Sequence, residues 1–406
     1  MLRFKNDDGS EFPEWEEKKI GELGTFIKGA ALSKADISES GSPLILYGEL
    51  YTTYKEVAYN IQRKTQAVVD KKYYSCVGDV IIPTSGESAE EISTATCVMV
   101  PDVILGGDLN IFRSDIVDGR IMSYILNHQA KWKIATIAQG KSIVHIQAKQ
   151  LANICVKYPL SKVEQQKIAE FLLTIDTVIE KQKETVSVWE ERKKGVMQKL
   201  FSQEVRFKAD DESEFPEWEE KKIDDVATCF AGATPSTKIP EYWEDGTIRW
   251  MSSGEVNNGQ IHDTEKRISQ LGFDKCSTKM VKPNTVVMAL AGQGKTRGMV
   301  AITRVPLCTN QSLCAIETND DICDDYLYQY LQTQYNNLRL ISSGDGTRGG
   351  LNLKLVGGYI VSVPCLEEQQ KIADCLSSFD EVIEKQKATL AAWEELKKGL
   401  LQQMFV

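Results

Sequence analysis

Glu164-Gln165-Gln166-Lys167-Ile168-Ala169 decides the reading of this chain, because it returns as Glu368-Gln369-Gln370-Lys371-Ile372-Ala373. Val178-Ile179-Glu180-Lys181-Gln182-Lys183 likewise returns as Val382-Ile383-Glu384-Lys385-Gln386-Lys387. Upstream, Arg3-Phe4-Lys5 and Glu11-Phe12-Pro13-Glu14-Trp15-Glu16-Glu17-Lys18-Lys19-Ile20 recur as Arg206-Phe207-Lys208 and Glu214-Phe215-Pro216-Glu217-Trp218-Glu219-Glu220-Lys221-Lys222-Ile223. Between these blocks the two halves differ almost everywhere. An internal repeat organises a fold before any motif does, and here it gives the order variable, constant, variable, constant, with divisions at 1–157, 158–205, 206–361 and 362–406.

The constant blocks Glu164 to Phe201 and Glu368 to Phe405 lack proline and hold one glycine each, Gly195 and Gly399, so they read as long helices. In the first, Ile168, Leu172, Ile175, Ile179, Gln182, Val186, Trp189, Lys193, Val196 and Leu200 alternate at spacings of four and three, a heptad seam. The second repeats it as Ile372, Leu376, Phe379, Ile383, Gln386, Leu390, Trp393, Lys397, Leu400 and Met404. The polar members Gln182, Lys193, Gln386 and Lys397 fix register at some cost in stability. A single such stripe serves as readily for an ordinary core. Two equal stripes in one chain can bury each other, and a pseudo-two-fold axis makes the pair antiparallel. Phe171 and Val178 widen the apolar face near the first helix start, so that end also packs on a globular domain. Phe12, Trp15, Phe215 and Trp218 travel with the constant blocks and are assigned to packing.

The variable regions, 21–157 and 224–361, read as mixed α/β domains. Asp79-Val80-Ile81-Ile82-Pro83, Cys97-Val98-Met99-Val100 and Thr285-Val286-Val287-Met288-Ala289-Leu290 are strand-like runs between Gly-, Ser- and Asp-rich turns. Met122 to Ile137 and Asp325 to Ser342 each read as one amphipathic helix, followed by a polar glycine loop. The fold class is therefore α/β (α+β), with two mixed domains joined by an antiparallel coiled coil.

Composition narrows the function classes. The 406 residues suffice for two or three domains, and 42% apolar with 26% charged residues fits a globular protein. No run has the length of a membrane span, and Met1 to Glu17 is charged where a signal peptide is apolar, so a cytoplasmic protein is expected. Ten cysteines without a Cys-x-x-Cys pair and only three histidines suggest neither a disulfide framework nor a zinc cluster. A net charge of −10 argues against indiscriminate coating of DNA. Two islands run against that background without an acid. One holds Arg120, Lys131, Lys133, Lys141, Lys149, Lys157 and Lys162; the other holds Lys275, Lys279, Lys282, Lys295, Arg297 and Arg304.

The arrangement resembles the DNA specificity subunit of type I restriction-modification systems, the HsdS family. The two Glu-Gln-Gln-Lys-Ile-Ala runs carry the likeness. So do Gly232-Ala233-Thr234-Pro235-Ser236-Thr237-Lys238, Tyr242-Trp243, Ile248-Arg249-Trp250 and Tyr47-Gly48-Glu49-Leu50-Tyr51-Thr52. The resemblance implies a non-catalytic chain with two target recognition domains, each reading half of a split, asymmetric site in double-stranded DNA, and constant helices that set the gap. It also implies two methyltransferase subunits as partners, together with restriction and translocase subunits. Cofactors are then the partners' affair: S-adenosylmethionine, ATP and Mg, with none bound by this chain. About 38 helical residues at 1.5 Å each give a rod of roughly 57 Å, longer than a DNA turn of about 34–36 Å. The outer helix faces are either partner surface or a solvated charged face.

Sequence reading requires cations or amides on phosphates and paired hydrogen bonds to base edges. The candidates are Ser85, Glu87, Gln139, Lys141, Ser142 and His145 in the first half, and Gln293, Lys295, Thr296, Arg297, Arg348, Asn352 and Lys354 in the second. Arg297 and Arg348 suit guanine; Gln293 or Asn352 suits adenine. Two rivals stand beside this reading. One is a DNA-independent coiled-coil scaffold; the other is a nucleotide-binding enzyme whose phosphate loop is Ala291-Gly292-Gln293-Gly294-Lys295-Thr296, although Ala289 stands where that motif needs its first glycine. No dinucleotide loop, Asn-Pro-Pro-Tyr or nuclease cluster supports catalysis.

Overall fold

A computed structural model describes residues 2–138, 140, 144–292, 295–342 and 350–405. The chain divides into two compact units, one of Met1–Lys183 with Ala388–Val406 and the other of Glu184–Lys387. In the first, a five-stranded sheet runs Thr25–Lys28, Leu109–Arg113, Asp79–Pro83, Thr96–Val98, Val57–Ala58. In the second, the order is Ala227–Ala231, Leu313–Thr318, Val286–Ala289, Val300–Thr303, Gln260–Ile261. Both sheets are antiparallel except for the last pair, which is parallel. The halves thus share a topology that their dissimilar sequences do not display.

The central strands are apolar throughout because both sheet faces are covered. Val80 and Ile82 point to one core with Ile121, Ile125, Ile168 and Leu172, while Ile81 points to the other with Ile45 and Leu105. Val286 and Met288 alternate with Val287 and Ala289 in the same way. A smaller sheet flanks each core, built on Ser42–Ile45 in the first unit and Ile248–Met251 in the second.

The long helices are Lys162–Phe201 and Leu366–Phe405. Within the first unit, Lys397 meets Asp176 at 2.8 Å and Lys183 meets Glu394 at 3.4 Å. Within the second, Lys387 meets Glu190 at 2.6 Å and Lys193 meets Asp380 at 2.6 Å. Numbers fall along one helix as they rise along the other, so the pairing in each unit is antiparallel, as expected. Of the heptad positions, Ile168, Leu172, Ile175, Ile179, Val186, Ile372, Leu376 and Ile383 are buried, with Ile168, Leu172, Ile372 and Leu376 joining the globular cores. Gln182, Trp189, Phe379, Gln386, Leu390 and Trp393 are half-buried, with the Trp189 and Phe379 rings 6.0 Å apart. At the end of the second helix Leu401, Met404 and Phe405 are the buried set, because that turn joins the first unit's core. Phe171 packs edge-on to Phe4 at 5.3 Å, the domain contact its position suggested.

The repeated Glu-Gln-Gln motif has a mechanical explanation. Glu164, fully buried, accepts hydrogen bonds from Arg3 Nε and Trp15 Nε1, both at 3.2 Å, and so ties the leading segment to the helix start. Gln165 accepts from the Asp118 amide at 2.7 Å and donates to the Pro159 carbonyl at 2.7 Å, bridging helix and domain. Glu368 accepts from Arg206 Nη2 at 2.8 Å and Trp218 Nε1 at 3.0 Å, and Gln369 accepts from the Cys323 amide at 2.7 Å. Trp15 and Trp218 are therefore packing residues with a polar tip in use.

Two helix expectations need correction. Met122 to Ile137 is not one helix but Gly119–Asn127 followed by Lys131–Ile137. On a straight helix Trp132 would share the stripe of Ile121 and Ile125; the break turns Trp132 out, 80% exposed, and buries Ile134 completely. Asp325 to Ser342 is likewise Asp324–Thr333 and Tyr335–Ile341, separated at Gln334.

The seam lysines also reach the globular domains. Asp176 accepts from the Tyr124 hydroxyl at 2.9 Å, and Lys397 lies 3.3 Å from Glu56, which His128 approaches at 3.4 Å. In the second unit Gln329 Nε2 donates to Asp380 at 2.7 Å. Burial pushes the Glu56 carboxyl up, but the adjacent His128 and the Lys397 charge outweigh it and hold the carboxyl at about 2 against an ordinary 4.5.

Glu164→Ala, which leaves the Trp15 indole N–H without its acceptor and takes from Arg3 its buried carboxylate, is expected to lower unfolding stability by about 2–3 kcal/mol, with Glu164→Gln costing less, measured by urea denaturation. For Glu56, the folded value lies below the unfolded one, so its stabilisation is complete above about pH 4.5 and lost as pH falls toward 2. Melting curves across that window should show a shallower acid loss for Glu56→Gln than for the unaltered chain, by about 3 kcal/mol.

Candidate nucleic-acid interface

In each unit two loops come together beside the central strands. In the first, the connection from Asp79–Pro83 to Thr96–Val98 meets the segment that follows the Lys131–Ile137 helix. Ser85–Gly86 pairs antiparallel with Val144–His145, placing His145 opposite Ser85. The Ile146 amide donates to the Thr84 carbonyl at 2.9 Å, and the Tyr51 hydroxyl donates to the Ser85 carbonyl at 3.0 Å. Ser85 Oγ donates to Asp108 at 3.3 Å. Asp108 itself sits at φ +48°, in the left-handed region that Asp tolerates better than most residues.

In the second unit the equivalent connection, from Val286–Ala289 to Val300–Thr303, meets the segment that follows the Tyr335–Ile341 helix. The Leu351 amide donates to the Leu290 carbonyl at 2.9 Å. Both units therefore place the same two connections side by side.

The candidates fall on these loop pairs. Glu87, His145, Lys295 and Lys354 are exposed; Thr296 and Arg297 are half-buried. Ser85 differs from expectation: it is buried with its hydroxyl turned to Asp108, because Ser85–Gly86 forms a separate two-stranded ladder with Val144–His145. Asn352 caps the Leu353–Gly357 helix, its Oδ1 accepting the Leu355 amide at 2.9 Å, so one lone pair of that oxygen is taken by its own helix. Gln139, Lys141, Ser142, Gln293 and Arg348 lie outside the described residues.

The two basic islands are smaller in space than in sequence. Arg120 pairs with Asp118 at 2.7 Å, Lys131 with Glu90 at 3.3 Å, Lys282 with Glu317 at 3.3 Å and Arg304 with Asp325 at 2.6 Å. Lys133 and Lys162 donate to the Cys155 and Asp115 carbonyls. Acids distant in sequence or just outside each run neutralise them. Lys149, Lys157, Lys275 and Lys295 remain exposed.

The nucleotide-loop rival meets a topological obstacle. Residues 290–299 connect two antiparallel strands, whereas a phosphate loop must open a helix whose N-terminus faces the anion. Among the described residues no cluster of His, Cys, Asp and Glu suits a metal, and no helix is long and apolar enough to cross a membrane. The residues that hold the loops, Tyr51, Asp108, Tyr335 and Arg339, were not among the sequence candidates. Tyr51 lies in a quoted motif, but nothing in the local pattern marks the other three.

A family model described as the type I restriction modification DNA specificity domain matches residues 13–186 and again 216–392. The chain belongs to that family. The specificity subunit of the MjaIX enzyme of Methanocaldococcus jannaschii is 33% identical over 211 residues, so the chain spans about half of that relative, 48%. The MjaVIII specificity subunit of the same organism is 25% identical over 418 residues, covering 98% of this chain and 94% of its own length. The crystal structure of the type I restriction-modification S subunit from M. genitalium shares the fold of this specificity-domain chain, with a TM-score of 0.66 over 100% of this chain and 98% of that one, at 16% identity. The two matched stretches each contain one of the five-stranded sheets and enter one long helix.

Proposed function

We propose that this chain is the sequence-reading subunit of a type I restriction-modification complex. Each unit reads one half of a bipartite, asymmetric site in double-stranded DNA, and the helix pair docks two methyltransferase subunits and serves the restriction and translocase subunits. The observation that carries this reading is one scaffold built twice, with the same loop pair in each copy and different side chains on it. Two unlike readers in one chain match a non-palindromic site, which a symmetric homodimer does poorly. The chain itself performs no catalysis in this reading. S-adenosylmethionine, ATP and Mg belong to the partners, and the complex works in the cytoplasm.

Roles follow from exposure. Lys295 and Lys354 suit phosphates and Arg297 suits a guanine edge; Glu87 accepts from cytosine and His145 completes the first loop pair. A DNA-independent scaffold would need none of these loops.

The decisive experiment exchanges residues 21–157 for the corresponding region of another family member and maps methylated adenines in cells expressing the complex. One half-site should change and the other persist; a change in both would end the modular reading. With the site known, Lys295→Ala should weaken binding on all duplexes and reduce the salt slope by about one, whereas Arg297→Ala should cost about 1–3 kcal/mol on the cognate duplex alone. Titrations by fluorescence anisotropy at several salt concentrations separate the two.

A further inference from the structure

The second unit's loop is held from outside by one short helix. Tyr335, the first residue of Tyr335–Ile341, donates its hydroxyl to the Lys295 carbonyl at 2.6 Å. One turn on, Arg339 Nη1 donates to that hydroxyl oxygen at 3.1 Å, and the guanidinium lies 5.5 Å from the Tyr335 ring. Leu338, wholly buried, sits under Gly298, where an added Cβ would stand 3.4 Å from the Leu338 Cβ. Gly298 has φ +83°, a conformation that favours glycine, so the backbone turns there against the helix. Residues 335, 338 and 339 share one helix face. That face covers the loop from Lys295 to Gly298, and the helix end leads directly into the second loop of the pair.

The first unit meets the same need differently. Its loops are joined by the Ser85–Gly86 and Val144–His145 ladder. Among the described residues, the side-chain tie from the equivalent helix is the Lys131–Glu90 pair, 37% and 82% exposed, which contributes little.

We infer that Tyr335 is a positioning residue for sequence reading by the second unit: through the Lys295 carbonyl it sets the direction in which Lys295, Thr296 and Arg297 project. This rests on the function proposed above. A loop ordered before binding loses less conformational freedom on meeting its ligand, so a bond that orders it adds affinity without touching DNA. The contribution is selective. Phosphate attraction tolerates a shifted cation, whereas a bidentate contact to a base edge does not.

Tyr335→Phe removes the hydroxyl and keeps the ring. The test uses the reconstituted complex with its methyltransferase subunits and four kinds of duplex: the site found by methylation mapping, that site substituted in its first half, in its second half, and random sequence. Anisotropy titrations should show a five- to tenfold rise in Kd on the intact site, no change on random duplex, and a smaller penalty for second-half substitutions with the first-half penalty unchanged. Equal weakening on every duplex, or loss of discrimination in both halves, would make Tyr335 structural and overturn the inference. Lys295→Ala and Arg297→Ala run in parallel. If they weaken binding and Tyr335→Phe does not, the positioning role is wrong while DNA reading by the loop stands. If none of the three alters recognition of the second half, the assignment of this loop to DNA fails, and the inference with it.

Discussion

Everything else in each unit is arranged around a carboxylate buried at the start of a long helix. Glu164 and Glu368 have no exposed surface, and each is held by a guanidinium and an indole N–H from a segment far away in sequence. A charge in such a place is tolerated only when its partners are all present. The leading Arg-Phe-Lys and Phe-Pro-Glu-Trp segments, the helix start and the adjoining glutamine must therefore assemble together. Recurrence of all these pieces in both halves follows from that single electrostatic demand.

The seam lysines extend the same logic along the helices. A heptad of leucines alone slides easily between registers, whereas a buried ammonium accepts only the register that brings its carboxylate opposite. Lys193 with Asp380 and Lys397 with Asp176 do this in their respective units. Because Asp380 also binds Gln329 and Asp176 binds Tyr124, each through its second oxygen, the helix register and the seating of each globular domain are settled by the same carboxylate. The cost in desolvation is offset by geometry that an apolar seam would not specify.

Sequence alone was most informative where physics repeats. The long helices and the strand Asp79–Pro83 were legible because a heptad and an apolar run each have a pattern that survives without tertiary context, and the antiparallel sense because the repeat implies a pseudo-two-fold axis. The breaks at residues 128–130 and at Gln334 were not, since a stripe of apolar residues looks continuous until the partner surface that re-phases it is known. The candidate interface was half legible. Polar glycine loops pointed to connections that lie side by side in each unit, yet Ser85 and Asn352 make local bonds, and the basic islands lost much of their charge to Asp118, Glu90, Glu317 and Asp325. Tyr335 left no local trace at all, because its partner is a main-chain carbonyl.

The first unit is completed by Leu401, Met404 and Phe405, which stack and pack against Tyr124, Trp15 and their neighbours. During translation those residues leave the ribosome after every residue of the second unit. The second unit, drawn from one uninterrupted stretch of chain, has all its parts earlier. Until residues 401–405 have been made, after the whole of the second unit, the amino-terminal half lacks the side chains that cover this part of its apolar core.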